Sequence, residues 1–138
     1  MKNLLFFTGI MMFATLLQAQ DSWKISLNKK TVLISNESNE LVNIKNIKSA
    51  DWSKNGFLEV NYKETIPTSL MHSLQFTDEL GNQLLVKDSV TTAKIPMGSL
   101  RKLFAGKKQL KIFIVISPSN PMMGMPSRMI HLVTLKLP

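Results

Sequence analysis

The sequence predicts an all-β domain: an antiparallel β-sandwich, immunoglobulin-like in general architecture, with one short helix, behind a cleaved signal peptide. Three observations carry that expectation. Apolar and polar residues alternate along most of the chain, as in Trp23-Lys24-Ile25-Ser26-Leu27 and Leu58-Glu59-Val60-Asn61-Tyr62, which is the pattern of half-buried strands. Turn signals such as Asn55-Gly56 and Gly81-Asn82 recur roughly every ten residues, the spacing of sandwich strands. Helical spacing shows at one place, Leu100, Leu103 and Phe104.

The first nineteen residues form a unit of their own. Lys2 precedes an uncharged run from Leu4 to Leu17, and small Ala19 stands before the polar opening Gln20-Asp21-Ser22. That order is the signature of a secretory signal peptide. The run falls short of the about 20 residues a spanning helix takes. The expected organisation is a signal peptide at 1–19 and a single domain at 20–138, periplasmic or secreted. The later apolar run Ile112 to Ile116 is also too short to span, so no transmembrane segment is expected in the mature chain. A domain of this size buries a core without staples, and the chain has no cysteine. Disulfides, thiolate metal sites and thiol chemistry are therefore excluded.

The elements follow in order. Trp23 to Leu27 and Thr31 to Ile34 read as a hairpin around Asn28-Lys29-Lys30, and Ser35 to Glu40 as a loop. Val42 and Ile44 alternate with Asn43 and Lys45 as a third strand, and Ile47 marks its end or a bulge near Asn46. Trp52 to Gly56 is a turn, and Leu58 to Lys63 a strand. Pro67 marks a loop. Leu70, His72, Leu74 and Phe76 share one face of the next strand, which pairs across the turn Asp78 to Asn82 with Leu84 and Val86. Ile95-Pro96 opens the helix, whose Leu100, Leu103 and Phe104 face the core and whose end is capped by Gly106. Leu110 to Ile116, apolar on both faces, is a central strand, and Met129 to Leu137 the last one.

Charge and composition narrow the partners. The chain carries 17 basic and 9 acidic residues, with two arginines. The lysines interleave with apolar residues and read as a solvated sheet face. In an exported protein a basic surface meets an envelope protein or an anionic glycan or lipid surface. Nucleic acid is not expected, since no nucleic-acid motif is present.

The residues that could carry chemistry are few. Met122, Met123 and Met125 crowd one loop, and Met129-Ile130-His131 follows. Thioethers and imidazole select Cu(I), so these five residues are the candidate metal ligands. The bland alternative is that the methionines pack where a loop closes the core. No other cofactor is expected. His72 lies among Leu70, Leu74 and Phe76 and reads as a hydrogen-bonded core residue. Two histidines cannot make a three-His zinc site. Ser99-Leu100-Arg101-Lys102 matches S-x-x-K, but its companion motifs are missing. Asp78 and Glu79 are adjacent in a turn and point apart. Trp23, Trp52 and Tyr62 could stack a sugar, although Trp23 fits the core better.

Three segments, Trp23 to Lys30, Lys94 to Lys108 and Met129 to Leu135, resemble a family of small exported β-sandwich proteins of unknown function from Bacteroidetes-type bacteria. The resemblance implies export and a sandwich and carries no catalytic residues. The expected function is an exported, non-catalytic binding or interaction domain of the cell envelope. The alternatives are a periplasmic Cu(I) carrier using the Met/His set and an enzyme whose residues the sequence does not single out.

Overall fold

A computed structural model describes residues 20–65, 70–120, 124 and 126–138. Nine strands build two sheets. β1 (Ser22–Leu27), β2 (Lys30–Ser35), β4 (Phe57–Lys63) and β7 (Thr92–Pro96) form a four-stranded sheet in the order β2-β1-β4-β7. β3 (Ile44–Asn46), β5 (Met71–Thr77), β6 (Gln83–Asp88), β8 (Gln109–Ser117) and β9 (Arg128–Lys136) form a five-stranded sheet in the order β3-β9-β8-β5-β6. The inner faces supply the core, with Ile25, Leu58 and Val60 from one sheet and Leu74, Phe76, Ile112 and Ile114 from the other. The buried apolar residues run from Trp23 to Leu135, so the described domain starting at Gln20 contains this core.

The period-two reading holds for most strands because one face of each is inside. β4 alternates exposed and buried residues along Phe57–Lys63, and β8 alternates buried and half-buried ones from Gln109 to Ser117. The β1–β2 hairpin turns on Asn28 and Lys29, both at positive φ (51° and 67°), the requirement of a tight two-residue turn. Gly81 also takes positive φ, 83°, in the β5–β6 turn.

Five expectations are corrected. The sandwich is mixed, not wholly antiparallel, because β3 runs parallel to β9, pairing Ile44 with Thr134 and Asn46 with Lys136. The third strand begins later than the alternation predicts, and its inside is reversed: Asn43 is buried and Val42 exposed. Asn43 joins the β3–β9 ladder through its backbone and bonds the preceding loop through its side chain. Its carbonyl accepts the Thr134 N–H at 2.8 Å, and its Nδ2 donates to the Glu37 carbonyl at 2.5 Å. A second short helix, α1 (Ser49–Trp52), stands just before the Asn55-Gly56 turn, so two helices replace the single one expected. β7 precedes the main helix α2 (Met97–Leu103) and pairs with β4. Pro96 therefore ends an edge strand, where the missing N–H removes no ladder bond, and it caps α2 instead of lying inside it. Within α2, Met97 and Leu100 are buried, as is Phe104 after it, but Leu103 is 40% exposed and does not face the core.

Successive connections leave from opposite ends of the sandwich. Those after β1, β3, β5 and β7 leave from one end, here termed lower, and those after β2, β4, β6 and β8 from the upper end. α1 and α2 belong to the lower end, where Met97 donates its N–H to the Gly56 carbonyl at 2.9 Å.

Candidate functional site

The upper end holds Trp23, Tyr62, His72 and Met129 among the side chains that the sequence singled out. Met122, Met123 and Met125 lie outside the described residues. Met129 is 57% exposed at the start of β9, whereas His131 is only 4% exposed. Register places both on the outer face of the five-stranded sheet, Met129 opposite Val115 and His131 opposite Phe113. His131 Nε2 bonds Thr134 Oγ1 at 2.8 Å, and the ring meets Phe113 edge-on with centroids 5.3 Å apart. Burial pushes the His131 pKa down, opposed by Glu40 and helped by Lys111. The ring is therefore enclosed and bonded to Thr134 while Met129 stands in solvent. Among the described residues no group of three or more His, Asp or Glu is placed to hold a metal.

Behind Met129 lies an open cleft of about 680 Å3, lined by Asp21, Trp23, Tyr62, Arg128 and Met129 among others. Its floor is built by register. Trp23 on β1 pairs with Tyr62 on β4, which stacks the two rings at 6.1 Å and 16°. The Trp23 indole N–H crosses to the other sheet and donates to the Leu132 carbonyl at 2.9 Å. A bulge in β9 between the partners of Ile112 and Phe113 leaves Leu132 outside the ladder, so its carbonyl is free to accept. The Tyr62 phenol donates to the Asp21 carboxylate. Burial first, then that bond, pushes the Tyr62 pKa well above the ordinary phenol value. Asp21 also accepts the Thr65 N–H at 3.2 Å, and the Gln20 carbonyl accepts the Thr65 hydroxyl at 2.5 Å. His72 is a core histidine, as expected, and its partner is the Glu64 carboxylate. Trp23 and Tyr62 are both buried, so the sugar-stacking platform is not presented; their rings face each other and the core.

Ser99 and Lys102 are exposed on α2, which agrees with a solvated helix face. Asp78 and Glu79 do point apart. Asp78 is fully buried and accepts the N–H groups of Leu80 (3.0 Å) and Asn82 (2.8 Å) and the Lys107 ammonium (2.9 Å). Those bonds hold its carboxyl far below the usual carboxylate range, with Lys107 and Asn82 the largest causes. Glu79 accepts the backbone N–H of Lys108 at 3.1 Å.

The lower end carries the feature that the linear sequence conceals. The β1–β2 turn brings Lys29 and Lys30; the stretch from β3 through α1 brings Lys45, Lys48 and Lys54. α2 and the segment after it add Arg101, Lys102, Lys107 and Lys108, and the adjoining strand residues add Lys94, Lys111 and Lys136. Twelve cations thus gather at one end with four carboxylates, Asp51, Glu59, Asp78 and Glu79. All four carboxylates are engaged locally: Asp51 lies 3.7 Å from Lys54, Glu59 lies 3.8 Å from Lys94, Asp78 holds Lys107, and Glu79 caps β8. The described remainder has four cations and five carboxylates, so the excess charge is concentrated below. Lys30, Lys45 and Lys48 border a groove of about 200 Å3 where β2 meets β3.

Comparison of the chain with family models, with curated proteins and with solved structures finds no match.

Proposed function

We propose that this is an exported, non-catalytic binding domain of the cell envelope, cut after Ala19, whose working surface is the basic lower end. The single observation that carries the reading is the gathering of twelve cations at one end of the sandwich beside four locally engaged carboxylates. Like charges gathered at one end repel one another, and the carboxylates there are too few to pair with all of them. A dense anionic surface is the natural complement. An immunoglobulin-like general architecture, as expected from the sequence, would bind through the loops at one end. The non-catalytic part of the reading is supported by the burial of both histidines, His72 and His131, away from solvent.

The test is titration of the domain with a soluble polyanion, dextran sulfate, at low and high ionic strength. Binding should weaken steeply with salt. Replacing Lys30, Lys45 and Lys48 together by Gln should weaken it about ten-fold or more, at roughly 1 kcal/mol per cation near an anionic surface. Equal binding by the triple variant, or loss of binding in a variant changed at the upper end alone, refutes the assignment of the surface.

A further inference from the structure

We infer that the lower end docks on an anionic lipid bilayer, with Leu80 and Leu103 entering the interface and the surrounding lysines holding the headgroups. The inference rests on the proposed basic binding surface and names its partner.

Charge alone does not choose between a glycan, a nucleic acid and a membrane. The two leucines do. Leu80 stands at the tip of the β5–β6 turn and is 80% exposed. Nothing about the turn requires a leucine there. The turn is fixed from within by Asp78, which accepts the N–H groups of Leu80 and Asn82 and the Lys107 ammonium, and by Gly81 at positive φ. An apolar side chain is therefore held out in water on a rigid support. Such pre-organisation reduces the ordering cost of insertion. Leu103 projects from the last turn of α2, 40% exposed, while its neighbours Leu100 and Phe104 are buried.

The two leucines belong to one surface. α2 leads through Gly106 into Lys107 and Lys108, and those two residues are bonded to Asp78 and Glu79 at the base of the Leu80 turn. Lys102 and Lys108 are exposed beside them. Exposed apolar tips set among lysines match the two layers of a bilayer surface: headgroups take the ammonium groups, and the acyl boundary takes the leucines. An acidic polysaccharide offers no apolar layer for Leu80. Nucleic acid is served by arginine forks, and this end is built mainly from lysines. The single arginine there, Arg101, is committed to the Trp52 and Lys54 carbonyls at 2.8 and 2.9 Å.

The experiment is co-sedimentation of the domain from Gln20 onward with vesicles of equal parts phosphatidylglycerol and phosphatidylcholine, against phosphatidylcholine alone. Dextran sulfate titration of the same samples runs in parallel. The expected result is binding to the phosphatidylglycerol vesicles only. Leu80→Ser should lower vesicle partitioning about ten-fold, with dextran sulfate binding unchanged; Leu103→Ser should act in the same direction. Lys102→Gln with Lys108→Gln should lower vesicle partitioning about ten-fold or more. Leu80 is largely outside the core, and an unchanged circular dichroism spectrum confirms that the variants fold. Dextran sulfate binding without vesicle binding overturns the bilayer inference and leaves the basic surface standing, as does vesicle binding that both serine variants retain in full. Absence of both bindings overturns both readings.

Discussion

Trp23→Phe should be among the most damaging conservative substitutions in this domain, because Trp23 does two jobs at once. Its ring fills the inner face and stacks on Tyr62, and its indole N–H makes a 2.9 Å bond to the Leu132 carbonyl on the opposite sheet. Phenylalanine keeps an aromatic ring and loses the donor. The Leu132 carbonyl is left without that partner at a bulge where the strand ladder does not serve it. A buried group stripped of its partner costs about 1–3 kcal/mol. The smaller ring adds about 1 kcal/mol of lost burial. The expected destabilisation is therefore about 2–4 kcal/mol, a large share of the about 5–15 kcal/mol that holds a domain folded. The assay is urea unfolding followed by fluorescence of the remaining tryptophan, Trp52, with Trp52→Phe as the comparison, since Trp52 is half-buried and its side chain makes no such bond across the sheets. An unchanged urea slope with a shifted midpoint would localise the effect to the native state. A loss below about 0.5 kcal/mol, within the range of ordinary surface substitutions, refutes the bridge as an energetic feature.

Two further outcomes follow from the same geometry. The chain has one tyrosine, so the alkaline phenolate absorbance reports Tyr62 alone; it should titrate well above the ordinary value of 10.0, and Asp21→Asn should bring it down by removing the bonded charge. Because the folded value is raised, the contribution to stability is intact below pH 10 and is lost as the pH rises beyond it; titration of the folded wild type at its ordinary value would refute the burial and the Asp21 bond together. Gly56→Ala should destabilise by about 1–2 kcal/mol, since the new Cβ would meet Asn28 Oδ1 at 2.0 Å and displace the side chain that donates to the Asp51 carbonyl at 2.8 Å. Chemical denaturation of the Asn28→Gly, Gly56→Ala pair should show a sub-additive loss, and strict additivity would mean that the clash is relieved elsewhere.

What the sequence revealed and what it hid divide along a physical line. Residues whose fate is set by their own strand were legible. Leu58, Val60 and Tyr62 point inward because alternation demands it, and Leu74 and Phe76 pack as their spacing predicts. Features set by a distant partner were not. Asn43 is buried because β9 supplies the Thr134 N–H to its carbonyl, and no local pattern contains that information. β7 was concealed by Ile95-Pro96, which resembles a helix start, while its identity as a strand comes from pairing with β4. Leu103 carries helical spacing, yet the helix buries Met97, Leu100 and Phe104 instead, and the apolar stripe is one position wider than the groove it fills. Of the candidate site, Met129 and His131 lie on one face of β9. Their separation into an exposed thioether and a buried imidazole depends on Phe113 and Thr134, which lie beyond the reach of spacing arguments.

The basic end is the instructive case, because its signal was present in the chain and was averaged away. Read as a list, the lysines look evenly spread and suit a solvated sheet face. Read against connectivity, they are not. Each strand reverses the chain, so alternate connections land at the same end of the sandwich. Lys29, then Lys48 and Lys54, then Lys107 and Lys108 fall in or beside the connections after β1, β3 and β7. The connection after β5 completes that end with Asp78 and Glu79, and both carboxylates are used to fasten the segment carrying Lys107 and Lys108. The acidic residues of the other connections, Glu37 and Glu40 after β2 and Glu64 after β4, land opposite. Parity of the connections thus converts a weak linear pattern into an electrically polar molecule. The same counting, applied to strands read from alternation alone, would have exposed the polarity had β7 been recognised, since omitting one strand inverts the parity of everything after it.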